Sequence, residues 1–66
     1  MKNNIRVERA IKRMTQQQLA DAVNVSRQTI VAIEAGKYVP STVLSLKICR
    51  VFSKPLEMVF QLEESD

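Results

Sequence analysis

The sequence lacks histidine and tryptophan and contains a single cysteine, Cys49. A disulfide bond within the chain is therefore impossible, and a Cys/His zinc cluster has too few ligands. Nucleophilic catalysis of the Ser-His or Cys-His type is excluded as well, because both arrangements need an imidazole base. We therefore expect a protein that is not an enzyme and that uses no metal, no cofactor and no small-molecule substrate.

Long hydrophobic stretches are also absent. The longest apolar run is Ile30–Ile33, whereas a membrane helix needs about 20 apolar residues and a signal peptide needs an apolar core. We therefore expect no membrane association and, since the one thiol is free, a cytoplasmic protein. The few aromatic residues are not interleaved with basic ones, which disfavours binding of single-stranded nucleic acid by stacking.

The chain is short, with 66 residues of which 45% are hydrophobic. A chain of this length buries only about 60% of its unfolded surface, so its core is marginal. We expect one domain over residues 1–66, with no room for a large enclosed substrate cavity. Association with a second copy would add to the stability of such a small core.

Charge is unevenly distributed along the chain. Residues 1–50 contain nine basic residues and three acidic ones, a net charge of +6, whereas residues 51–66 contain one basic and four acidic residues, a net charge of −3. A basic body with an acidic end indicates a polyanionic partner on one side of the molecule. The charge distribution by itself is explained equally well by a solvated charged surface that has no such partner.

Capping residues mark the ends of the predicted helices, since the chain has only one glycine and two prolines. Thr15 and Gln18 have the spacing of a capping box, and Ser26 and Ser41 can each cap the segment that follows. Gly36 stands where a left-handed residue ends a helix. These marks predict five helices, over residues 4–13, 16–23, 27–35, 42–52 and 55–60, with short extended pieces possible at 1–3 and 61–63.

Apolar residues recur at helical spacing and predict one buried face on each of the second, third and fourth helices. The predicted core residues are Leu19, Ala20, Val23, Ile30, Ile33, Leu44, Ile48, Cys49 and Phe52. Cys49 is interpreted as a small core residue because it lies beside Ile48 on the apolar face. The predicted fold class is therefore all-α, a compact five-helix bundle with short terminal strands possible.

Only three residues, Asn24, Val25 and Ser26, separate the second helix from the third. The two helices must therefore cross steeply at a tight turn. Ala20 is small where the helices approach closely, and Asn24 is the non-glycine residue that best tolerates a positive φ. Val25 is apolar and is expected to tuck under the turn. This spacing is that of a helix-turn-helix.

The sequence resembles the Cro and lambda-repressor-like (XRE) family of transcriptional regulators over about residues 5–60. The matching motifs are Met14-Thr15-Gln16-x-x-Leu19-Ala20, Val25-Ser26-Arg27-Gln28-Thr29-Ile30, Ile33-Glu34-x-Gly36-Lys37-Tyr38-x-Pro40-Ser41 and Leu44-x-x-x-Ile48. It is most similar to compact members that consist of the DNA-binding domain alone. The resemblance implies a sequence-specific regulator, a repressor in the simplest case, that binds a double-stranded DNA operator.

The resemblance also implies roles for single residues, with the third helix as the recognition helix in the major groove. Arg27 and Gln28 lie in its first turn, and their side chains can pair with guanine and adenine. The other candidates are Val31 and Ala32 on the exposed face, Thr29 at a phosphate or a thymine methyl group, Gln16 and Ser26 at phosphates, and Lys37 and Tyr38 at the flanking backbone. The alternatives are a merely soluble first helical turn at Gln16, a surface charge at Arg27, a plain cap at Ser26 and a packing role for Tyr38.

Glu34 lies on or near the inward side of the third helix, and the family often pairs this glutamate with an arginine on the first helix, here Arg9. A partly buried pair would join the two helices and aim Arg9 toward a phosphate.

Three positions depart from the family pattern. Asn24 and Ser53 stand where glycine is common, so the corner after the fourth helix is expected to be strained or differently capped. Glu8 stands at an often apolar position of the first helix.

Residues 55–66 are expected to form a dimerisation segment as well. Four apolar residues lie in this acidic part of the chain, Met58, Val59, Phe60 and Leu62, and a short helix is not expected to bury all of them within one protomer. An apolar stripe left exposed usually marks an interface. We expect a two-fold homodimer whose recognition helices lie about 34–36 Å apart on a palindromic site. The alternative is a monomer in which the fifth helix only closes the core.

A protein-interaction module, antitoxin-like or adaptor-like, is the alternative function on the same fold. Such a module would bind a protein with little dependence on salt. Binding to DNA weakens steeply as salt increases, because each phosphate contact releases counterions. Salt dependence therefore discriminates between the two functions.

Overall fold

A computed structural model describes every residue from Met1 to Asp66. Its elements are β1 (Lys2–Asn3), α1 (Ile5–Lys12), α2 (Gln16–Ala22), α3 (Arg27–Glu34), α4 (Thr42–Phe52), α5 (Leu56–Val59) and β2 (Phe60–Gln61). The five predicted helices and the possible terminal strands are confirmed. The bounds of α4 are those predicted, and the other helices are one to two residues shorter. No helix is both long enough and apolar enough to cross a membrane.

Short polar side chains begin three of the helices, as predicted. The hydroxyl of Thr15 accepts a hydrogen bond from the backbone N–H of Gln18 at 3.0 Å, and the side-chain oxygen of Gln18 accepts one from the N–H of Thr15 at 2.9 Å. Ser26 and Ser41 cap α3 and α4, each accepting from the backbone N–H three residues later. These local bonds satisfy amide groups that the first helical turn leaves unpaired.

Left-handed residues join or end the helices. Asn24, in the turn between α2 and α3, has a φ of 60°, and Gly36, shortly after α3, has a φ of 73°, as expected for these positions. Arg13 and Ser53 end α1 and α4 with φ values of 55° and 54°. This conformation costs a residue with a Cβ atom roughly 1–2 kcal/mol. The corner after α4 is therefore strained, one of the two outcomes that its sequence left open.

Replacing Ser53 with glycine is expected to stabilise the protein. Glycine adopts the left-handed conformation without the steric cost but loses more freedom on folding, so the expected gain in unfolding free energy is about 0.5–1 kcal/mol. Thermal denaturation followed by circular dichroism measures it. Ser41→Ala is the control of opposite sign, because it removes a helix cap and is expected to cost about 1 kcal/mol. An unchanged or lower midpoint for Ser53→Gly would contradict the strain.

The core between the helices contains twelve apolar residues, each at most 9% exposed. They are Ile5, Leu19, Ala20, Val23, Ile30, Ile33, Leu44, Ile48, Cys49, Phe52, Val59 and Phe60. All nine residues predicted from helical spacing are among them. Burial raises the pKa of the Cys49 thiol, so this residue stays protonated at neutral pH and acts as a small core side chain.

Val59 and Phe60 correct one part of the sequence prediction, which placed both at an exposed dimer interface. They are 0% and 6% exposed, whereas Met58 and Leu62 are 52% and 83% exposed. The helix α5 ends at Val59, earlier than predicted, and Phe60 is extended with φ −123° and ψ 135°. The change from helix to strand turns two successive side chains into the core, so Met58 and Leu62 are the two of the four that remain largely exposed.

The two strands form an antiparallel ribbon in which Lys2 lies opposite Gln61 and Asn3 opposite Phe60. The side-chain amide of Asn3 donates a hydrogen bond to the backbone carbonyl of Ile33 at 2.8 Å. The ribbon therefore joins both ends of the chain to the C-terminal end of α3. This hydrogen bond anchors α3 at the end opposite its first turn.

Glu8 is buried in α1 at the position that is often apolar in the family. It is 7% exposed, and one of its carboxylate oxygens lies 3.7 Å from Nζ of Lys54. This ion pair links α1 to the corner between α4 and α5. The carboxylate therefore has a partner of opposite charge, and α1 packs at this position despite the acidic side chain.

Candidate nucleic-acid interface

The turn between α2 and α3 has the geometry that its spacing predicts. Ala20 is 0% exposed, and its backbone carbonyl accepts a hydrogen bond from the N–H of Val25 at 3.0 Å. Val25 is half-buried and packs against the core, as expected for a residue tucked under the turn. The two helices thus form a helix-turn-helix that leaves the first turn of α3 at the surface.

The two faces of α3 differ in exposure. Ile30 and Ile33 are at most 1% exposed and hold the helix against the core. Arg27 and Gln28 are exposed in the first turn, and Val31 is 39% exposed one turn further along. The outward face of α3 therefore presents a cationic group, an amide and an aliphatic group within little more than one helical turn.

Ser26, Thr29 and Ala32 border this outward face. The hydroxyl of Ser26 accepts a hydrogen bond from the backbone N–H of Thr29 at 3.3 Å, and the two hydroxyl oxygens lie 3.0 Å apart. Thr29 and Ala32 are half-buried, whereas Ser26 is exposed. Ser26 is therefore a helix cap, one of the two roles that the sequence left open, and its exposed position leaves the hydroxyl accessible to a ligand.

Arg9 and Glu34 form the ion pair that the resemblance implies. Nε of Arg9 donates to one carboxylate oxygen at 2.7 Å and Nη2 to the other at 3.0 Å, and the side chains are 15% and 9% exposed. Nη1 donates to the backbone carbonyl of Met14 at 2.9 Å. Hydrogen bonding to Glu34 raises the pKa of Arg9. The pair joins α1 to the last residue of α3 and fixes the orientation of α3.

Gln16, the first residue of α2, links this ion pair to the surface. Its Nε2 donates to Oε1 of Glu34 at 3.4 Å, and its Oε1 accepts from Nη2 of Arg27 at 3.2 Å. Sequence analysis selected Gln16 and Arg27 separately and missed their contact. No sequence pattern predicts this contact, because eleven residues separate the two positions and only the crossing of α2 and α3 brings them together.

Lys37 and Tyr38 follow α3 on an exposed turn. The backbone N–H groups of Gly36 and Lys37 donate to the carbonyls of Ile33 and Ala32 at 3.0 and 2.9 Å, which closes the helix end. Lys37 is exposed, and Tyr38 is 47% exposed. Both side chains are therefore accessible beside the C-terminal end of α3.

A second surface, which we call the apolar groove, lies beside α5 and β2. Its volume is about 550 Å³, and its apolar lining includes Met1, Val39, Leu56, Phe60 and Leu62. Val39 and Leu56 are 60% and 41% exposed, and sequence analysis missed both. The sequence feature that could have indicated them is an apolar residue in the loop before α4 and another in the first turn of α5.

Comparison with known proteins gives a family and close relatives. A family model described as helix-turn-helix matches residues 5–59. The chain is 50% identical to YgzD of Bacillus subtilis and 46% identical to MJ0272 of Methanocaldococcus jannaschii, both uncharacterized HTH-type transcriptional regulators, over 66 residues and the full length of each.

One solved structure resembles this fold closely. The clp gene regulator ClgR of Corynebacterium glutamicum matches with a TM-score of 0.74 and 29% identity, over 79% of this chain and 55% of the ClgR chain. This chain thus spans about half the length of that protein. The relatives are transcriptional regulators and not enzymes. The helix-turn-helix geometry, the family match and the full-length relatives together show that the chain belongs to the Cro/C1-type helix-turn-helix family of transcriptional regulators.

Proposed function

We propose that this protein is a sequence-specific repressor that binds a palindromic DNA operator as a homodimer, with α3 inserted in the major groove. The first turn of α3 carries the proposal, because Arg27 and Gln28 are exposed on a helix whose opposite face is buried through Ile30 and Ile33. Membership in a family of DNA-binding regulators supports it. A dimer bound at a promoter would block access of RNA polymerase to the same DNA. The proposed location of the protein is the cytoplasm.

The side chains on the outward face of α3 differ in the bases that they can recognise. The guanidinium of Arg27 matches the two acceptors of guanine in the major groove, and the amide of Gln28 matches the acceptor and donor of adenine. Val31 and Ala32 are positioned for apolar contact with a thymine methyl group, and Thr29 for the same contact or a phosphate. This set of side chains can discriminate among base pairs over one half-site.

Five polar residues around α3 are proposed to contact the DNA backbone. Lys37 and Tyr38 lie past its C-terminal end, and Ser26 and Gln16 lie near its first turn. Arg9 retains N–H groups on Nη1 and Nη2 beyond those donated to the protein. The net charge of +6 on residues 1–50 favours approach to a phosphate backbone. Such contacts orient the protein on the duplex but do not select a sequence.

Selection of bound fragments from random double-stranded DNA tests binding, sequence and half-site spacing together. On the selected duplex, Arg27→Ala and Gln28→Ala are each expected to cost about 1–3 kcal/mol and to relax the preference at one base pair. Arg50→Ala is the matched control, because it removes the same charge from an exposed position on α4. If the Arg27 and Gln28 variants keep the discrimination of the unsubstituted protein, α3 is not the recognition helix.

Lys37→Ala is expected to weaken binding to all duplexes alike, because a phosphate contact is independent of sequence. The slope of log K against log salt should become less steep by about one unit. Fluorescence anisotropy at several salt concentrations measures this slope. Lys47→Ala, which removes the same charge from an exposed position on α4, should leave the slope unchanged. Binding that is insensitive to salt would favour the protein-interaction function instead.

The homodimer is proposed to form through the apolar groove. Leu62 and Met58 are 83% and 52% exposed and lie on the segment that also provides part of the groove lining. The apolar surface of one copy can therefore pack against the same apolar surface of a second copy. A two-fold interface uses the same patch on both subunits. Residues 51–66 carry a net charge of −3, which favours a place away from DNA.

A further inference from the structure

The ribbon of β1 and β2 connects the apolar groove with the end of α3. Phe60 and Gln61 of β2 line the groove, and Phe60 lies opposite Asn3 of β1. Nδ2 of Asn3 in turn donates to the backbone carbonyl of Ile33 in α3 at 2.8 Å. We call this hydrogen bond the ribbon bond. No other hydrogen bond joins either strand to α3.

The side chain of Asn3 is held at both of its polar atoms. Its Oδ1 accepts a hydrogen bond from the backbone N–H of Ile5 at 3.3 Å, while its Nδ2 donates to Ile33. A backbone N–H only donates and a backbone carbonyl only accepts, so the amide satisfies both partners in one orientation. Ile5 and Ile33 are at most 1% exposed. The ribbon bond therefore ties β1 to a residue of α3 that is itself fixed in the core.

The other contacts of α3 reach the groove less directly. Its remaining hydrogen bonds to other helices lead from Glu34 and Arg27 to α1 and α2, and no residue of α1 or α2 lines the groove. The loop that follows α3 reaches the groove at Val39 but forms no helix or strand. The ribbon bond is thus the link between α3 and the groove that passes through regular structure.

We propose that Asn3 is a positioning residue that sets which half-site spacing the protein selects. This inference rests on the proposed function, in which two copies meet at the apolar groove and each inserts α3 in the major groove of DNA. The distance and angle between the two copies of α3 then depend on the path from the groove through the ribbon to Ile33. A change of one base pair in spacing moves a half-site by about 3.4 Å and rotates it by roughly 35°.

The strength of the ribbon bond limits the size of the effect. On a duplex with the wrong spacing, α3 can follow its half-site only by moving relative to the ribbon, which breaks the bond. A duplex shifts the protein between two arrangements only by its differential affinity for them. Loss of the bond should therefore reduce the ratio of wrong-spacing to right-spacing dissociation constants by about two- to tenfold, the net contribution of one hydrogen bond.

The test measures dissociation constants on a selected palindrome and on duplexes whose half-sites are one base pair closer together or farther apart. Asn3→Ala is expected to reduce the spacing ratios by that factor. On a duplex with a single half-site it should bind like the unsubstituted protein. Asn4→Ala is the matched control, because the amide of this neighbouring asparagine donates to the carbonyl of Met58 at 3.0 Å and not to α3. It should keep the spacing ratios of the unsubstituted protein.

Asn3→Asp separates the two hydrogen bonds of the side chain. The carboxylate can still accept from the N–H of Ile5, but it cannot donate to the carbonyl of Ile33. Its spacing ratios should decrease as they do for Asn3→Ala. If Asn3→Asp keeps the full ratios, the contact with Ile5 is sufficient and the proposal is overturned. The proposal is also overturned if Asn3→Ala weakens binding to every duplex equally, the single half-site included, because Asn3 then only stabilises the fold.

Failure of the proposed function gives different results. If the unsubstituted protein recognises a single half-site but has no spacing preference, the proposed homodimer has failed, and the role of Asn3 fails with it. If the unsubstituted protein binds no duplex selectively, the proposed DNA recognition itself has failed. In the remaining case the unsubstituted protein prefers one spacing and Asn3→Ala keeps that preference. This result would overturn the role of Asn3 alone and leave the proposed function intact.

A measurement on the free protein tests the ribbon bond without DNA. The carbon-13 NMR shift of a backbone carbonyl responds to the loss of a hydrogen-bond donor. The shift of the Ile33 carbonyl should therefore change in Asn3→Ala and in Asn3→Asp but not in Asn4→Ala. An Ile33 carbonyl shift that is the same in all of these proteins would show that the ribbon bond does not form in solution, and it would overturn the proposal whatever the DNA measurements show.

Discussion

Replacing Glu34 with alanine is expected to lower the free energy of unfolding by about 3 kcal/mol, because it leaves the guanidinium of Arg9 without its partner in a largely buried site. For a chain of this size that loss corresponds to a decrease in melting temperature of roughly 12–24 °C. Glu34 also accepts from Gln16 at 3.4 Å, so the change frees the first residue of α2 as well. Thermal denaturation at a fixed protein concentration measures the effect.

Two variants separate the ion pair from the loss of a charge. Glu64→Ala removes the same charge from an exposed position near the C-terminus, and its melting temperature should change little. The double variant Arg9→Met/Glu34→Leu removes both charges and should recover much of the lost stability, because a buried pair replaced by apolar groups is often neutral in energy. A decrease of only a few degrees for Glu34→Ala would contradict the structural role of the pair.

The second large effect is expected when the apolar groove is made polar. Leu56→Gln and Leu62→Gln together should convert the proposed dimer of twice 7.5 kDa into a monomer, which multi-angle light scattering at tens of micromolar protein detects. Loss of the second recognition helix should weaken binding to a palindromic duplex by about 10²–10⁴-fold, the usual gain from two linked sites. Both side chains are partly or largely exposed, so the fold of the protomer should survive.

A matched pair of substitutions outside the groove gives the control. Val43 and Leu46 are 63% and 53% exposed on the outer face of α4, and Val43→Gln with Leu46→Gln likewise makes two exposed apolar side chains polar. This variant should remain a dimer and keep its affinity for DNA. If the unsubstituted protein is already a monomer at tens of micromolar, the homodimer proposal is wrong.

The helix ends were predictable because their hydrogen bonds are local. The caps at Thr15, Ser26 and Ser41 each join residues three positions apart, so spacing in the sequence suffices to identify them. The left-handed Asn24 and Gly36 were predictable for the same reason, since backbone sterics act within one residue. The spacing of apolar residues in α2, α3 and α4 likewise identified the faces that the structure buries.

The surroundings of the site residues were harder to predict. The pair between Arg9 and Glu34 was expected only from the family resemblance, because no local pattern joins positions 25 residues apart. The contact between Gln16 and Arg27 was missed for the same reason. Sequence analysis could select polar side chains on the outward face of α3, but it could not determine which of them are already bonded to one another.

The order of the helices, their caps and the buried faces of α2, α3 and α4 were determined by the sequence itself, because hydrogen bonds and apolar periodicity act over a few residues. The tertiary structure alone decided that Val59 and Phe60 face the core, that Val39 and Leu56 line the groove, and that Arg27 is linked to Glu34. These outcomes depend on the pairing of β1 with β2 and on the crossing of α2 and α3. Both bring together residues distant in sequence, and no local rule of spacing carries that information.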